Sequence, residues 1–244
     1  MSVAVAAAIS AQSAPRALVT GSSSGIGAAI AQRLLAQAWQ VQGLDIAPAT
    51  QQHSLFEPHT VDLADGPALA RHIGPLLAAG PPLALVHAAG VMRSAHLGAL
   101  DAAQGALLWQ LHVDAATRLA NAVLPAMVQV GAGRVVLLGS RVSGGMPGRS
   151  QYAASKAALV SLARSWAAEV ASSGVTVNVV SPAATDTPML QDPQRVGSAP
   201  RLPPLGRLIQ PTEVAALVAY LLSPDAAAIT GQDIAICGGA SLPR

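Results

Sequence analysis

The sequence has little charge and few aromatic residues. Charged residues make up 11% of the 244 residues and aromatic residues 2%, so few rings are present to stack on nucleic acid bases. The formal net charge is +2, and the arginines are scattered along the chain instead of forming a basic stripe. We therefore predict no nucleic acid partner.

Cysteine is almost absent as well. Cys237 is the one cysteine, which excludes an internal disulfide, and no histidine lies near it in the sequence. We interpret it as a small buried side chain and not as a nucleophile or a ligand. No metal site is predicted.

Long apolar runs are missing, although hydrophobic residues reach 52% of the chain. Gly, Pro, Gln, His or Arg interrupts each apolar stretch before the roughly 18 residues that a membrane-spanning helix needs. The opening MSVAVAAAIS has no Lys or Arg before its short apolar run, so it fits a secretory signal poorly. We expect a cytoplasmic protein without a membrane partner and with residues 1–14 as a flexible tail.

Short apolar strands alternate with alanine-rich helical stretches along the rest of the chain. This order is typical of a parallel sheet covered on both faces. It predicts a single α/β domain over residues 15–244, a Rossmann-like doubly wound sheet of about seven strands. The predicted strands lie in RALVT, WQVQGLD, HTVDL, PLALVHAAG, GRVVLLGS, VTVNVVSP and QDIAICGG.

One segment breaks the alternation. Residues 183–210 are rich in Pro and Arg and follow a predicted strand. Folds of this kind place ligand-covering loops there, so we interpret the segment as a substrate lid. A surface loop without such a role is the alternative.

A glycine-rich turn joins the first strand to the first helix. In TGSSSGIG, Gly21, Gly25 and Gly27 let the backbone approach a pyrophosphate, and the following helix presents its positive end to the phosphates. Asp45 ends the next strand, at the spacing where a carboxylate meets the adenine ribose hydroxyls of a dinucleotide. The combination predicts a nicotinamide cofactor.

Asp45 also predicts which nicotinamide cofactor binds. A carboxylate there repels the 2′-phosphate of NADP, and no Arg stands in the glycine turn or just after Asp45 to attract it. NAD is therefore predicted in preference to NADP. Asp62, in TVDL, is expected to reach the adenine amino group, unless it serves only as an acid at a helix start.

QYAASK contains the only lysine, Lys156, four positions after Tyr152. In a helix these two side chains share one face. An ammonium stabilises a neighbouring phenolate and lowers the pKa of the phenol, and arginine substitutes poorly for this compact, rotatable group. Ser140, at the end of the predicted fifth strand, is expected to donate to the same oxygen that Tyr152 protonates, with Ser143 as a second candidate.

The chain resembles the short-chain dehydrogenase/reductase family over nearly its whole length, from TGSSSGIG through HAAG and YAASK to VNVVSPAATDTPM and ITGQDIAICGG. The resemblance implies that Tyr152 is the general acid or base, that Lys156 binds the nicotinamide ribose and tunes Tyr152, and that Ser140 holds the substrate oxygen. It also implies a homotetramer or homodimer. The expected cofactor-binding residues are Gly21, Ser23, Ser24, Gly25, Ile26, Gly27, Asp45, Asp62, Leu63, Ala89, Gly90, Tyr152, Lys156, Pro182 and Thr187.

Two of the departures from the family pattern affect residues of the predicted site. His87-Ala88-Ala89-Gly90 stands where the family usually has NNAG, so the lost amides need another hydrogen-bond partner. His112 aligns with the family's helix asparagine, which supports a water relay behind the lysine. If the relay uses the main-chain carbonyl, His112 changes little, whereas a working side chain can carry protons. Both alternatives remain open in the sequence.

The predicted activity is NAD(H)-dependent interconversion of a secondary alcohol and a ketone. Segments around AAGVMRSA and VVSPAATDTPM resemble dehydrogenases acting on cyclic dihydrodiols, in which an arginine could hold a carboxylate. Arg93 and Arg141 are the candidates for that role, with solvated surface arginines as the alternative. A 3-oxoacyl reductase is the competing enzyme, and an NAD-binding sensor without catalysis is the alternative of another class.

Overall fold

The computed structural model describes residues 14–78, 80–192 and 201–242. Within these residues, seven strands form one parallel sheet in the order β3-β2-β1-β4-β5-β6-β7. The predicted doubly wound sheet is confirmed. The strands are β1 (Arg16–Thr20), β2 (Gln40–Asp45), β3 (Phe56–Thr60), β4 (Ala84–His87), β5 (Gly133–Leu138), β6 (Val175–Pro182) and β7 (Asp233–Ile236).

Helices cover both faces of the sheet. They are α1 (Gly25–Ala36), α2 (Gly66–Leu77), α3 (Ala102–Trp109), α4 (Ala115–Val130), α5 (Ser150–Val170) and α6 (Pro211–Leu222). A π-helical turn, Gln110–Asp114, joins α3 to α4, and short 3₁₀ turns lie at Arg141–Gly144, Ala171–Ser173, Pro188–Gln191 and Pro224–Ala226.

Each face of the sheet has its own apolar core. Helices α1 and α6 bury Ile30, Leu34 and Val218 on one face. Helices α2, α4 and α5 bury Leu69, Leu119 and Leu159, among others, on the opposite face. Because both faces are covered, the central strands read as continuous apolar runs. None of the helices described is long and apolar enough to cross a membrane.

The third strand begins and ends earlier than predicted. It was expected in HTVDL, but β3 pairs Phe56 with Val41 and ends at Thr60. As the edge strand, β3 exposes Glu57 and Pro58, and proline is tolerated at an edge. Because β3 contains polar residues, it lacks the apolar run by which the other strands were predicted. Asp62 therefore follows the strand instead of ending it.

The predictions for Cys237, the tail and the lid differ from the described structure or lie partly outside it. Cys237 is half-buried, not buried as expected, because it lies just beyond the edge strand β7. The predicted tail over residues 1–14 falls almost wholly outside the described residues, as do residues 193–200 of the predicted lid.

The sheet order fixes where a ligand can bind. The chain passes from β1 outward to β2 and β3, and then returns to place β4 on the other side of β1. The loops after β1 and β4 diverge at this point, leaving a crevice beyond the carboxyl ends of the strands.

We predict that Gly27→Ala destabilises the fold. A Cβ at Gly27 would collide with the Gly21 carbonyl oxygen and lie 3.1 Å from that of Thr20, so α1 would have to move away from β1. The free energy of unfolding, measured with denaturant, should fall by about 1–3 kcal/mol. Gly144→Ala is the control, since nothing lies within 4 Å of its added Cβ, and it should change stability by less than about 0.5 kcal/mol. Equal effects of the two substitutions would contradict this packing.

Candidate active site

A cavity of about 1110 Å³ opens at the carboxyl ends of the strands. It brings together most of the residues predicted from the sequence. Ser23, Arg93 and Ser143 do not line it. The predicted residues that do are Gly21, Ser24, Gly25, Ile26, Gly27, Asp45, Asp62, Leu63, Ala89, Gly90, His112, Ser140, Arg141, Tyr152, Lys156, Pro182 and Thr187.

The glycine turn forms a close-packed cradle at one end of the cavity. Gly21 and Gly25 adopt φ values of 68° and 52°, which favour glycine. A Cβ on Gly21 would lie 2.9 Å from the backbone of Ala89, and one on Gly25 would lie 3.2 Å from the Thr187 side chain. The Ser24 side chain does not cap α1. This backbone surface at a helix start suits a pyrophosphate.

Asp45 is held at the rim of this cradle. Its Oδ2 accepts a hydrogen bond from the Ser23 N–H at 2.9 Å, and its Oδ1 accepts one from the Ala47 N–H at 2.9 Å. Ser23 thus fixes the carboxylate instead of lining the cavity. A carboxylate offers about four lone-pair sites, so Asp45 can still accept from ribose hydroxyls.

Asp62 lines the cavity and is not the cap of α2. Asp65 caps that helix, accepting from the Ala68 N–H at 2.9 Å. Asp62 Oδ1 instead accepts from the Ala64 N–H at 2.9 Å. The carboxylate is therefore placed by its own turn, at the same end of the cavity as Asp45.

Tyr152 and Lys156 lie one turn apart on the buried face of α5, at 6% and 4% exposure. Lys156 Nζ donates to the Leu138 carbonyl at the end of β5, at 2.8 Å. Burial lowers the pKa of the Lys156 ammonium to about 7. The lysine is therefore poised between its charged and neutral forms near neutral pH.

Ser140 lies two residues beyond the end of β5, not at its end as predicted. It begins the 3₁₀ turn, and its Oγ accepts from the Val142 N–H at 3.4 Å. That contact is long, which leaves the hydroxyl able to donate elsewhere. Ser140 lines the cavity with Tyr152, whereas Ser143 does not line it.

His112 lies at the centre of the π-helical turn and is fully buried. Its Nε2 accepts from the Val91 N–H at 3.2 Å, and its Nδ1 lies 2.9 Å from Ser155 Oγ. Ser155 Oγ donates to the Tyr152 carbonyl, so His112 Nδ1–H is the donor to Ser155. The imidazole stands edge-on to the Tyr152 ring, with centroids 5.7 Å apart.

This arrangement holds His112 in its neutral form. Burial, followed by the charges of Lys156 and His87, lowers the pKa of His112 well below its ordinary value. Protonation of Nε2 would also remove the acceptor for the Val91 N–H. A neutral imidazole with both nitrogens hydrogen-bonded is suited to orienting the helix that bears Tyr152. This is consistent with a relay through the main-chain carbonyl of His112 and does not favour proton transfer by its side chain.

His87 was not among the predicted site residues, yet it supports the same region. The Thr20 hydroxyl accepts from the N–H groups of Ala88 and Ala89, both at 3.0 Å, and lies 3.0 Å from His87 Nδ1. With two bonds accepted, Thr20 donates to His87. These hydrogen bonds take the place of those expected from the asparagine amides of the family's usual NNAG segment. Burial, with Lys156 as the next cause, lowers the pKa of His87 to about 3.

Arg93 and Arg141 occupy different positions. Arg93 does not line the cavity; its Nη1 lies 3.1 Å from Asp192 Oδ2, and its Nε donates to Gln104 at 2.8 Å. Arg141 lines the cavity, and its Nη1 donates to the Ala240 carbonyl at 3.5 Å. Of these two predicted arginines, Arg141 is therefore the one placed to meet a ligand.

Comparison with known proteins identifies the family. A family model described as enoyl-(acyl carrier protein) reductase matches residues 21–241. Since the match spans most of the chain, the protein belongs to the short-chain dehydrogenase/reductase family, and it is an oxidoreductase acting on CH–OH groups.

Individual relatives carry different substrate names. The chain is 36% identical to the 3-oxoacyl-[acyl-carrier-protein] reductase FabG of Vibrio cholerae, over 91% of this chain and 96% of that one. It is also 36% identical to the 2,3-dihydro-2,3-dihydroxybenzoate dehydrogenase of Escherichia coli, over 92% and 96%. The solved structure of Thermoplasma acidophilum aldohexose dehydrogenase superposes with a TM-score of 0.87 at 25% identity, covering 95% of this chain and 96% of that one.

We predict that His112→Phe and His112→Asn have different effects. Phe leaves the Val91 N–H and the Ser155 hydroxyl without their partner, and the free energy of unfolding should fall by about 1–3 kcal/mol. Asn keeps one acceptor and one donor, so its loss of stability should be smaller, and its pH–rate profile should match that of the parent. Loss of a titration step from the profile of the Asn variant would show that His112 carries protons.

Proposed function

We propose that the protein is an NAD(H)-dependent oxidoreductase that interconverts a secondary alcohol and a ketone. The observation that carries this proposal is one cavity that joins Ser140, Tyr152 and Lys156 to the glycine cradle and Asp45. The substrate is a small hydroxy compound, with cyclic diols or dihydrodiols as the favoured class.

The residues divide the reaction between them. Tyr152 takes the hydroxyl proton in oxidation and returns it in reduction, because its ring lies in the cavity beside Lys156. The Ser140 hydroxyl donates to the same substrate oxygen and orients it. The nicotinamide supplies or accepts the hydride when it is bound. Lys156 places a positive charge next to Tyr152, and its N–H groups can bind the nicotinamide ribose.

Charge along the cavity supports NAD over NADP. Asp45 and Asp62 are the acidic residues among its described lining, whereas Arg141, Arg149 and Arg201 come from segments after β5 and before α6. Ile46 and Ala47 follow Asp45 and offer no cation to a 2′-phosphate. The Asp45 carboxylate would therefore repel the 2′-phosphate of NADP, with no cation directly after it to offset the repulsion.

Two other functions remain as alternatives. A 3-oxoacyl reductase is favoured by the 36% identity to FabG of Vibrio cholerae, while the 36% identity to the Escherichia coli dihydrodiol dehydrogenase favours the cyclic class. A sensor that binds NAD without catalysis would not need Ser140, Tyr152 and Lys156 together, so their shared cavity argues against it.

We further propose a cytoplasmic homotetramer or homodimer. Trp109 and Val130, at 46% and 47% exposure, present apolar side chains on the α3–α4 segment. Such side chains are suited to burial between copies of the chain.

The direct test of the activity is Tyr152→Phe. With NAD and a panel of secondary alcohols, sugars and cyclic diols, the parent protein should form NADH, measured by its absorbance. The rate of NADH formation by the variant should fall about 100- to 10,000-fold because the proton acceptor is gone. NAD binding, measured by calorimetry, should be unchanged. Tyr220→Phe, at the half-exposed second tyrosine, is the control and should be fully active. Turnover that persists in Tyr152→Phe would refute the assignment.

The cofactor preference is tested with Asp45→Asn. This change removes the charge while keeping an acceptor for the Ser23 or Ala47 N–H. The ratio of kcat/KM for NAD to that for NADP should fall by about 10-fold or more, since one repulsive contact is lost. Asp225→Asn, on an exposed turn outside the cavity, is the control. An unchanged ratio would remove Asp45 from the ribose site.

A further inference from the structure

The end of the cavity around Tyr152 combines an apolar wall with basic side chains. Val142 and Tyr152 belong to one buried apolar cluster, against which Met146 and Met189 pack. Arg141 and Arg149 line the same end of the cavity. A ligand there would meet apolar surface and guanidinium groups together.

Arg149 is positioned firmly by its surroundings. It lies three residues before Tyr152, immediately before α5 begins. The Ala95 N–H donates to the Gly148 carbonyl at 2.9 Å, and Ala95 forms a β-bridge with Arg149. The backbone on both sides of Arg149 is therefore tied into the fold, so its side chain starts from a fixed point at the cavity rim.

Arg141 has N–H donors to spare. Its one hydrogen bond within the described residues runs from Nη1 to the Ala240 carbonyl, at 3.5 Å. A guanidinium carries five N–H donors in a planar fork. Most of the donors of Arg141 thus remain available to a ligand in the cavity.

Arg149 lies within reach of the charges of Arg141 and Tyr152. Burial lowers the pKa of Arg149; Tyr152, the next cause, acts in the opposite direction, and the charge of Arg141 lowers the pKa further. Like charges repel, and an anion bound between the two guanidinium groups would offset that repulsion. Among the described residues lining the cavity, the carboxylates are Asp45 and Asp62.

We propose that Arg141 and Arg149 form an anion subsite that binds a carboxylate of the substrate. Guanidinium groups bind carboxylates through paired, charge-assisted hydrogen bonds. The apolar wall then receives the body of the substrate, so the substrate class is an apolar, cyclic hydroxy acid with its reacting carbinol carbon near the carboxylate. This assignment rests on the proposed function. It also replaces Arg93, which pairs with Asp192 outside the cavity.

The test is calorimetric titration of the protein–NADH complex with benzoate and, separately, with benzamide. The two probes share a ring and differ in charge. Benzoate should bind at least about 10-fold more tightly than benzamide. Arg149→Gln and Arg141→Gln should each abolish most of this preference. Arg149→Lys should retain part of it, because a single ammonium keeps the charge but not the fork.

Arg164→Gln is the matched control, since Arg164 is exposed on α5 and lies outside the cavity lining. It should leave the preference for benzoate intact. NADH binding by each variant shows that it is folded. Equal affinities for benzoate and benzamide, no binding of benzoate, or a preference that survives both Gln substitutions would overturn the subsite. A preference without any hydride transfer would instead refute the proposed function and leave the subsite standing.

Discussion

The site depends on one constraint: Lys156 is buried beside His87 and His112, and the three side chains must not all be charged at once. Lys156 Nζ lies under the loop after β4, where a Cβ on Gly90 would be 3.5 Å from it and 2.8 Å from His112 Nε2. Backbone and hydroxyl donors point at the histidines: the Val91 N–H donates to His112, and Thr20 donates to His87. An imidazole that accepts a hydrogen bond cannot be protonated at that nitrogen. The positive charge of the pocket is thereby reserved for the lysine.

Much of the fold and the centre of the site followed from the sequence because they depend on local patterns. The glycine turn, the strand alternation and the Tyr152–Lys156 spacing each occupy a short stretch, and the parallel sheet brings the ends of those stretches together. The polar edge strand β3 was misplaced for a related reason. Edge strands lack the apolar run that reveals central ones.

Other features depend on contacts between distant segments, which one sequence does not reveal. Thr20 and His87 are 67 positions apart, and neither residue type alone indicates their bond. Arg93 was a candidate with Arg141, but it pairs with Asp192, 99 positions away, and does not line the cavity. Arg149 was not predicted, because nothing near it in the sequence distinguishes it from a surface arginine; the packing of α5 places it in the same cavity as Tyr152. Charge placement in the cavity is a tertiary property.

The presence of a single lysine permits a direct measurement of the central interaction. Protein grown with ε-¹³C-lysine should give one labelled resonance, from Lys156, whose chemical shift can be followed with pH in the free protein. We expect a titration midpoint near 7, because burial disfavours the ammonium. A midpoint at about 10 or above, as for a solvated lysine, would contradict the account of a buried ammonium poised to act on Tyr152.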